Sequence, residues 1–299
     1  MSARLAREAL RLYPLAYRRR YGDEMRALLE DEPADAGTVL DLVKGALIAH
    51  LRPANAPAGV VDPADRVRAS ASGILMCWVF FAAAGFGFYK TTEDQPFSSA
   101  GHAHPLLRDA HMAVQAIALI ASAAVVLGAL PLIAAAVRQA WREPARRRAV
   151  VLPFVPLIVF VLLTGAVIAM AHANGPNGSG AGNGAAVAWG IAGVVCGATC
   201  VLACRAALFA TPASPPRLRI ALAAGTIVTI AMIVIAAATA LYAIALAADA
   251  ARLAAEANGP FQILSVSTSL IVQVLVMVAA GGLAVTTTIR GWQVENRLA

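Results

Sequence analysis

The sequence predicts an all-α membrane protein: a bundle of six transmembrane helices preceded by a small cytosolic helical hairpin. Three observations predict it. The 299 residues are 60% hydrophobic and only 14% charged, with a mean hydropathy of +0.71, well above the roughly 45–50% apolar content of soluble domains. Six apolar runs follow Ser70, at residues 70–89, 110–137, 150–171, 185–204, 220–248 and 261–289, each holding the ~17–25 apolar residues that cross a bilayer. Lys and Arg alternate sharply between successive connections, 21 on one side and three on the other.

That alternation orients the chain. Short loops rich in Lys and Arg stay on the cytoplasmic side, so Arg138, Arg142, Arg146, Arg147 and Arg148, between the second and third runs, fix both neighbours and, by alternation, every other span. Arg205, Arg217 and Arg219 follow the fourth run and Arg290 and Arg297 follow the sixth, whereas the opposite side has Lys90, Arg108 and Arg252. With acids included the inner segments carry a net +9 and the outer ones −2, which together make the +7 of the whole chain. Both termini are therefore expected in the cytoplasm. Only Lys44 and Lys90 are lysine, beside abundant arginine and alanine, a composition typical of high-GC bacterial genomes, so the expected location is a bacterial inner (plasma) membrane. The runs at 110–137, 220–248 and 261–289 exceed the needed length and should tilt or project.

Taken in order, residues 1–52 form a cytosolic helical module, 53–69 a linker, 70–290 the transmembrane domain and 291–299 a tail. The charged residues 1–69 lack the apolar core of a cleavable signal peptide, so the first span is expected to serve as the insertion signal. Residues 1–32 read as helix interrupted at Pro14, with Tyr17, Tyr21, Met25 and Leu28 or Leu29 at helical spacing. A second helix is predicted from Thr38, where Thr38 and Asp41 have capping-box spacing, with Val39, Leu42, Val43, Ala46, Leu47 and His50 on one face. Pro53, Pro57, Gly59 and Pro63 mark the linker. Two short amphipathic helices bury little of each other, so their apolar faces call for a partner. Residues 1–52 hold nine basic and eight acidic side chains, too near neutrality for a nucleic-acid surface.

No catalytic, metal or nucleotide motif stands out. Cys196, Cys200 and Cys204 stack at i, i+4, i+8 on the fourth span, a soft-metal geometry that lacks His, Asp or Glu nearby and reads better as small-residue packing. All four cysteines, Cys77 included, fall inside spans, so no disulfides are expected. His102, His104 and His111, with Asp109, surround the first outer connection; imidazole and carboxylate suit zinc or copper, but the first two are expected in a wet loop without helical spacing. Gly193 and Gly197 form a GxxxG pair for close helix approach, first within the chain and second in a homo-oligomer. Ser265, Ser267, Thr268, Ser269 and Gln273 give the sixth span a polar upper section, with Gln115 and Tyr242 as isolated polar groups. No span carries Asp, Glu, Lys or Arg near its middle, which disfavours ion-coupled transport, where such groups work at depth, and leaves no general base or nucleophile for an intramembrane enzyme. No GxxxxGK[ST] phosphate loop occurs. No cofactor is expected.

The run Tyr13-Pro14-Leu15-Ala16-Tyr17-Arg18-Arg19-Arg20-Tyr21-Gly22-Asp23-Glu24-Met25 resembles a prefix, Leu-Tyr-Pro-x-x-aromatic-Arg-x-Arg-Tyr-Gly-x-Glu, at the N-terminus of many uncharacterised bacterial multi-pass membrane proteins. Tyr17 stands where Trp or Phe is common. Some proteins with this prefix are ABC-type permeases with large external domains, and the prefix is often encoded beside PadR-type transcriptional regulators or sigma factors. The resemblance implies a regulatory or partner-docking role and leaves residues 70–290 unaddressed. The resulting expectation is a non-enzymatic regulatory or signalling component that docks a cytosolic regulatory protein through Tyr13, Tyr17, Arg18, Arg20, Tyr21, Glu24, Met25, Leu42 and Leu47. The alternative is a transport component, permease-like and without its own ATPase.

Overall fold

A computed structural model describes residues 6, 8–10, 12, 13, 15–31, 35–51, 63–92, 94–143, 147–174, 180–210, 214–256 and 265–296. Pro14, most of the expected linker, and the side chains of Arg20 and Leu47 lie outside the described residues. Every element among the described residues is helical. Ahead of the membrane domain, residues 6 and 8–10 are helical, and α1 (Leu15–Asp31) and α2 (Ala36–Leu51) follow. The rest are α3 (Pro63–Thr92), α4 (Gln95–Ala103), α5 (Pro105–Arg142), α6 (Arg147–Val151), α7 (Phe154–Asn174), α8 (Gly180–Ala210), α9 (Pro215–Asp249), α10 (Ala251–Ala255) and α11 (Val266–Glu295).

Five of these helices, α3, α5, α8, α9 and α11, are long and apolar enough to cross a membrane; Phe154–Met170 of α7 is a shorter apolar helix. The chain is a multi-pass membrane protein by that criterion. At 1.5 Å per residue, the 38 residues of α5 extend about 57 Å, nearly twice the ~30 Å hydrocarbon thickness.

The ends of the helices have local causes. Pro63 opens α3 where its missing N–H costs nothing, Asp65 in the first turn suits the helix dipole, and Arg68 donates to that carboxylate. The first spanning helix therefore begins seven residues ahead of Ser70, inside the stretch expected to be linker. α2 begins two residues before Thr38: the Asp35 carboxylate accepts the Thr38 backbone N–H at 2.7 Å and its hydroxyl at 2.8 Å. Thr38 is thus a donor to the cap rather than the cap, and these bonds hold the Asp35 carboxyl below its ordinary value. That contribution is present above the usual carboxylate range and lost as pH falls through the lowered value. Ser265 caps α11, accepting the Thr268 N–H at 3.2 Å.

Four helices form the centre. α5 lies along α9 and α3 along α11, and α9 joins the two pairs by packing on both α11 and α3. α8 is added on the outside of α3, and α7 packs on α8. Phe81, Phe88, Leu222, Met232, Ile235, Leu246, Leu270 and Met277 are fully buried in this core. Large apolar side chains such as Leu119, Leu162, Ile244 and Leu275 point outward, as lipid requires.

Lipid tails are as apolar as leucine, so helices in a bilayer associate through close contact and interhelical hydrogen bonds. Gly128 of α5 provides such a contact: a Cβ there would collide with the Cβ of Ala224 on α9, which is fixed to its own backbone and cannot turn away. Polar pairs add to it. Thr229 and Thr288 bond at 2.9 Å between α9 and α11, and the Trp292 indole donates to Thr226 at 2.9 Å. At the end of this seam Arg219 pairs with Glu295, whose side chain is 7% exposed.

Gly128→Leu is expected to lower stability by about 1–3 kcal/mol through overpacking, while Gly165→Leu, which meets open space on α7, stays within about 0.5 kcal/mol. Thermal unfolding of the purified protein in detergent checks both; equal midpoints would refute this packing.

Candidate functional site

Three places gather chemistry outside ordinary packing. The first is the N-terminal module. Leu10, Tyr13 and Ala46 are buried together, with Tyr17, Met25, Leu29 and Leu42 packed against them. Tyr13, Tyr17 and Tyr21 form a ladder of tilted rings with centroids 6.4 and 5.8 Å apart. Gly45 of α2 lies against the Tyr13 hydroxyl, leaving no room for a Cβ, and burial pushes the Tyr13 phenol above its ordinary pKa, with Tyr17 adding to the rise.

So the structure brings Tyr13, Tyr17, Met25 and Leu42, all expected on a docking face, into a seam inside the module. Tyr21 continues the ring ladder half-buried; Arg18 and Glu24 are exposed. The sequence pattern marks Leu28 or Leu29, and Leu42 with Val43, as stripe positions, and only the packing separates them. Leu29 turns inward, whereas Leu28, Leu40 and Val43 are 68%, 69% and 40% exposed. With Leu12, 52% exposed, they are the large apolar side chains that the module presents among the described residues.

The second place is a polar group among α3, α5, α9 and α11. Gln273 of α11 donates to Ser269 at 2.9 Å and to Thr91 of α3 at 3.3 Å. Gly87 makes this crossing feasible, since a Cβ there would sit 3.1 Å from the Gln273 amide nitrogen. The buried Gln273 Oε1 has no hydrogen-bond partner among the described residues. Nearby on α5, His111 bonds Gln115 at 2.8 Å, and its ring neighbours Phe88 and Tyr242, with centroids 5.5 and 6.1 Å away.

His102 and His104 fall differently from the expected loop. His102 lies in α4, and His104 separates α4 from α5 with its Nδ1 3.8 Å from Asp249. Pro96 and Pro105, each in a helical first turn, convert this connection to helix. Among the described residues no group of three His, Cys, Asp or Glu side chains converges on a metal position. The four cysteines are free, and Cys200 donates its thiol to the Pro153 carbonyl at 3.4 Å. Gly193 and Gly197 are covered by the chain's own helices: Cβ atoms there would meet the Phe160 ring of α7 at 3.1 Å and Val79 of α3 at 2.7 Å.

The third place is a cleft of about 310 Å³ where α7 and α8 stand away from α5 and α9. Its walls are almost wholly apolar. Beyond it, at the basic end of the bundle, a second depression of about 320 Å³ is lined by Arg138, Gln139, Arg142, Glu143 and Arg217. The sequence shows these arginines as loop charges that orient the chain; nothing in it shows that Arg217 and Arg138 meet.

No protein-family model matches the chain, and no curated protein or solved structure matches it. The reading of the three places therefore rests on their geometry.

Gln273 carries a sharp test. An interhelical side-chain bond in a membrane averages only about 0.6 kcal/mol, while an unpaired buried oxygen costs about 1–3 kcal/mol. Gln273→Leu is expected to raise stability by about 1 kcal/mol in thermal unfolding; a fall of that size would show that the amide is fully satisfied and structural.

Proposed function

We propose that the chain is a non-enzymatic regulatory component of a bacterial inner membrane, with six spans, both termini in the cytoplasm, and an N-terminal helical hairpin that docks a cytosolic protein. The observation that carries the reading is the split within the module: Tyr13, Tyr17 and Met25 pack in one cluster with Leu42 and Ala46 of α2, while Leu12, Leu28, Leu40 and Val43 stay exposed, as Arg18 and Glu24 do. Exposed apolar residues flanked by charge suit a protein interface. The near-neutral charge of residues 1–52 supports a protein over nucleic acid. The resemblance of the Tyr13–Met25 run to prefixes encoded beside transcriptional regulators points the same way.

The six-span count takes α7 as the third span, where 21 helical residues match the ~20 needed. The 21-to-three distribution of Lys and Arg then places the arginine-rich connection inside. The spans lack a charge at mid-depth, which weighs against the transport alternative.

Two experiments test this. Reporter fusions at Gly101 and Gly180 are expected outside and at Arg142 and the C-terminus inside; an external C-terminus removes the six-span reading. Photo-crosslinkers placed at Leu28 and Leu40 of the full chain in cells are expected to capture one cytosolic protein, with capture lost in Leu28→Asp and kept in Arg252→Gln. Crosslinks confined to the chain itself would make the module structural.

A further inference from the structure

The cleft and the arginine depression continue one another along two helices. On α9, Arg217, Ala221, Ala224 and Val228 follow at i, i+4, i+7 and i+11, so they lie on one face. On α5, Leu132 and Ala136 line the apolar part, and Gln139 carries the same face into the depression, with Arg138 and Arg142 beside it. The two apolar stripes thus end at three guanidinium groups. Glu143 also lines the depression, which leaves an excess of two positive charges. From Arg217 to Val228 the helix rises about 16 Å, close to the ~15 Å depth of one leaflet.

The cleft also opens sideways. Ile133 of α5 and Phe154 and Leu157 of α7, all on its lining, are 50%, 52% and 50% exposed. This opening follows from α7 packing chiefly on α8, and α8 reaching the core mainly through α3, which leaves α7 without close packing on α5 among the described residues. An occupant arriving from the membrane needs an apolar chain about one leaflet long and an anionic head at the level of the arginines.

We propose that this cleft binds an anionic phospholipid, its acyl chain between the α5 and α9 stripes and α7, and its phosphate among Arg138, Arg142 and Arg217. Guanidinium groups pair with phosphate through several donors at once, and basic pockets between spanning helices suit acidic headgroups. The inference needs only that the chain crosses a bilayer, so it stands or falls separately from cytosolic docking.

Native mass spectrometry of the full chain, released from nanodiscs holding equal phosphatidylglycerol and phosphatidylcholine, reads the preference. Retention of phosphatidylglycerol is expected. Each of Arg138→Gln, Arg142→Gln and Arg217→Gln should cut the preference by about fivefold, from the roughly 1 kcal/mol that one basic group near the surface contributes. Arg252→Gln, at the far end of the chain's charge distribution, should leave it unchanged. Ala136→Trp, filling the apolar part, should remove the bound lipid while the arginines remain. The arginine variants change exposed or half-exposed groups and test the proposal even if Ala136→Trp fails to fold. Equal retention of the two lipids, an unchanged preference in the three arginine variants, or displacement by inorganic phosphate without regard to acyl chains would overturn it; the last outcome would make the depression an anion site.

Discussion

The approach of α5 to α9 at Gly128 and Ala224 sets the geometry on which the other helices depend. Inside a bilayer, burying leucine against leucine gains little over burying it against lipid, so packing must come from surfaces that meet closely. Small residues permit that closeness, and α9, pressed on α5 at one face, offers its others to α3 and α11. Phe81, Met232 and Met277 then fill the volume between the four helices, much as a soluble core is filled. The difference lies outside, where Leu119, Leu162 and Leu275 meet a solvent that accepts them.

Polarity is distributed to match. Within the membrane it takes the form of hydroxyls returned to their own helix, such as Thr164 to Phe160 and Ser122 to Ala118, or of neutral pairs such as Thr229 with Thr288. Full charges meet at the ends of helices, Asp65 with Arg68 and Arg219 with Glu295, where water and headgroups are within reach. Gln273 departs from this economy. A side chain with an unpaired buried oxygen, lying across the glycine of a neighbouring helix, is more expensive than leucine would be, and functional sites are where such local conflicts collect.

The helical class and the long apolar spans were legible because both follow from local pattern: runs of sufficient length and a charge asymmetry that needs no tertiary knowledge. Helix ends were poorly legible: Ser265 stood out only as one of several polar residues of the sixth run, and Thr38 was read at the start of α2 where Asp35 is the cap. The connection holding His102 and His104 looked like a wet loop, yet two prolines at first-turn positions made it helix. In the N-terminal module the apolar period marked the right residues without saying which would face inward; Leu28 and Leu29 are adjacent in sequence and opposite in fate. The cleft was the least legible of all, because it is a gap between α5 and α7, and pattern describes surfaces that touch.

The pairing of α3 with α11 has a consequence in time. Gln273 donates to Thr91 across 182 positions, and translation at about 5–20 residues per second needs roughly 10–35 s to cover that distance. Throughout that interval the first spanning helix is already made, while the α11 surface that will meet Gly87 and Thr91 does not yet exist. Its inner face must meanwhile rest against lipid or the insertion machinery, which suits a face that is apolar apart from hydroxyls bonded to their own backbone, as Thr91 and Thr92 are. The closure comes late in this stretch of chain: α11 packs on both α3 and α9, and Arg219 can meet Glu295 only after the residues between them have been made.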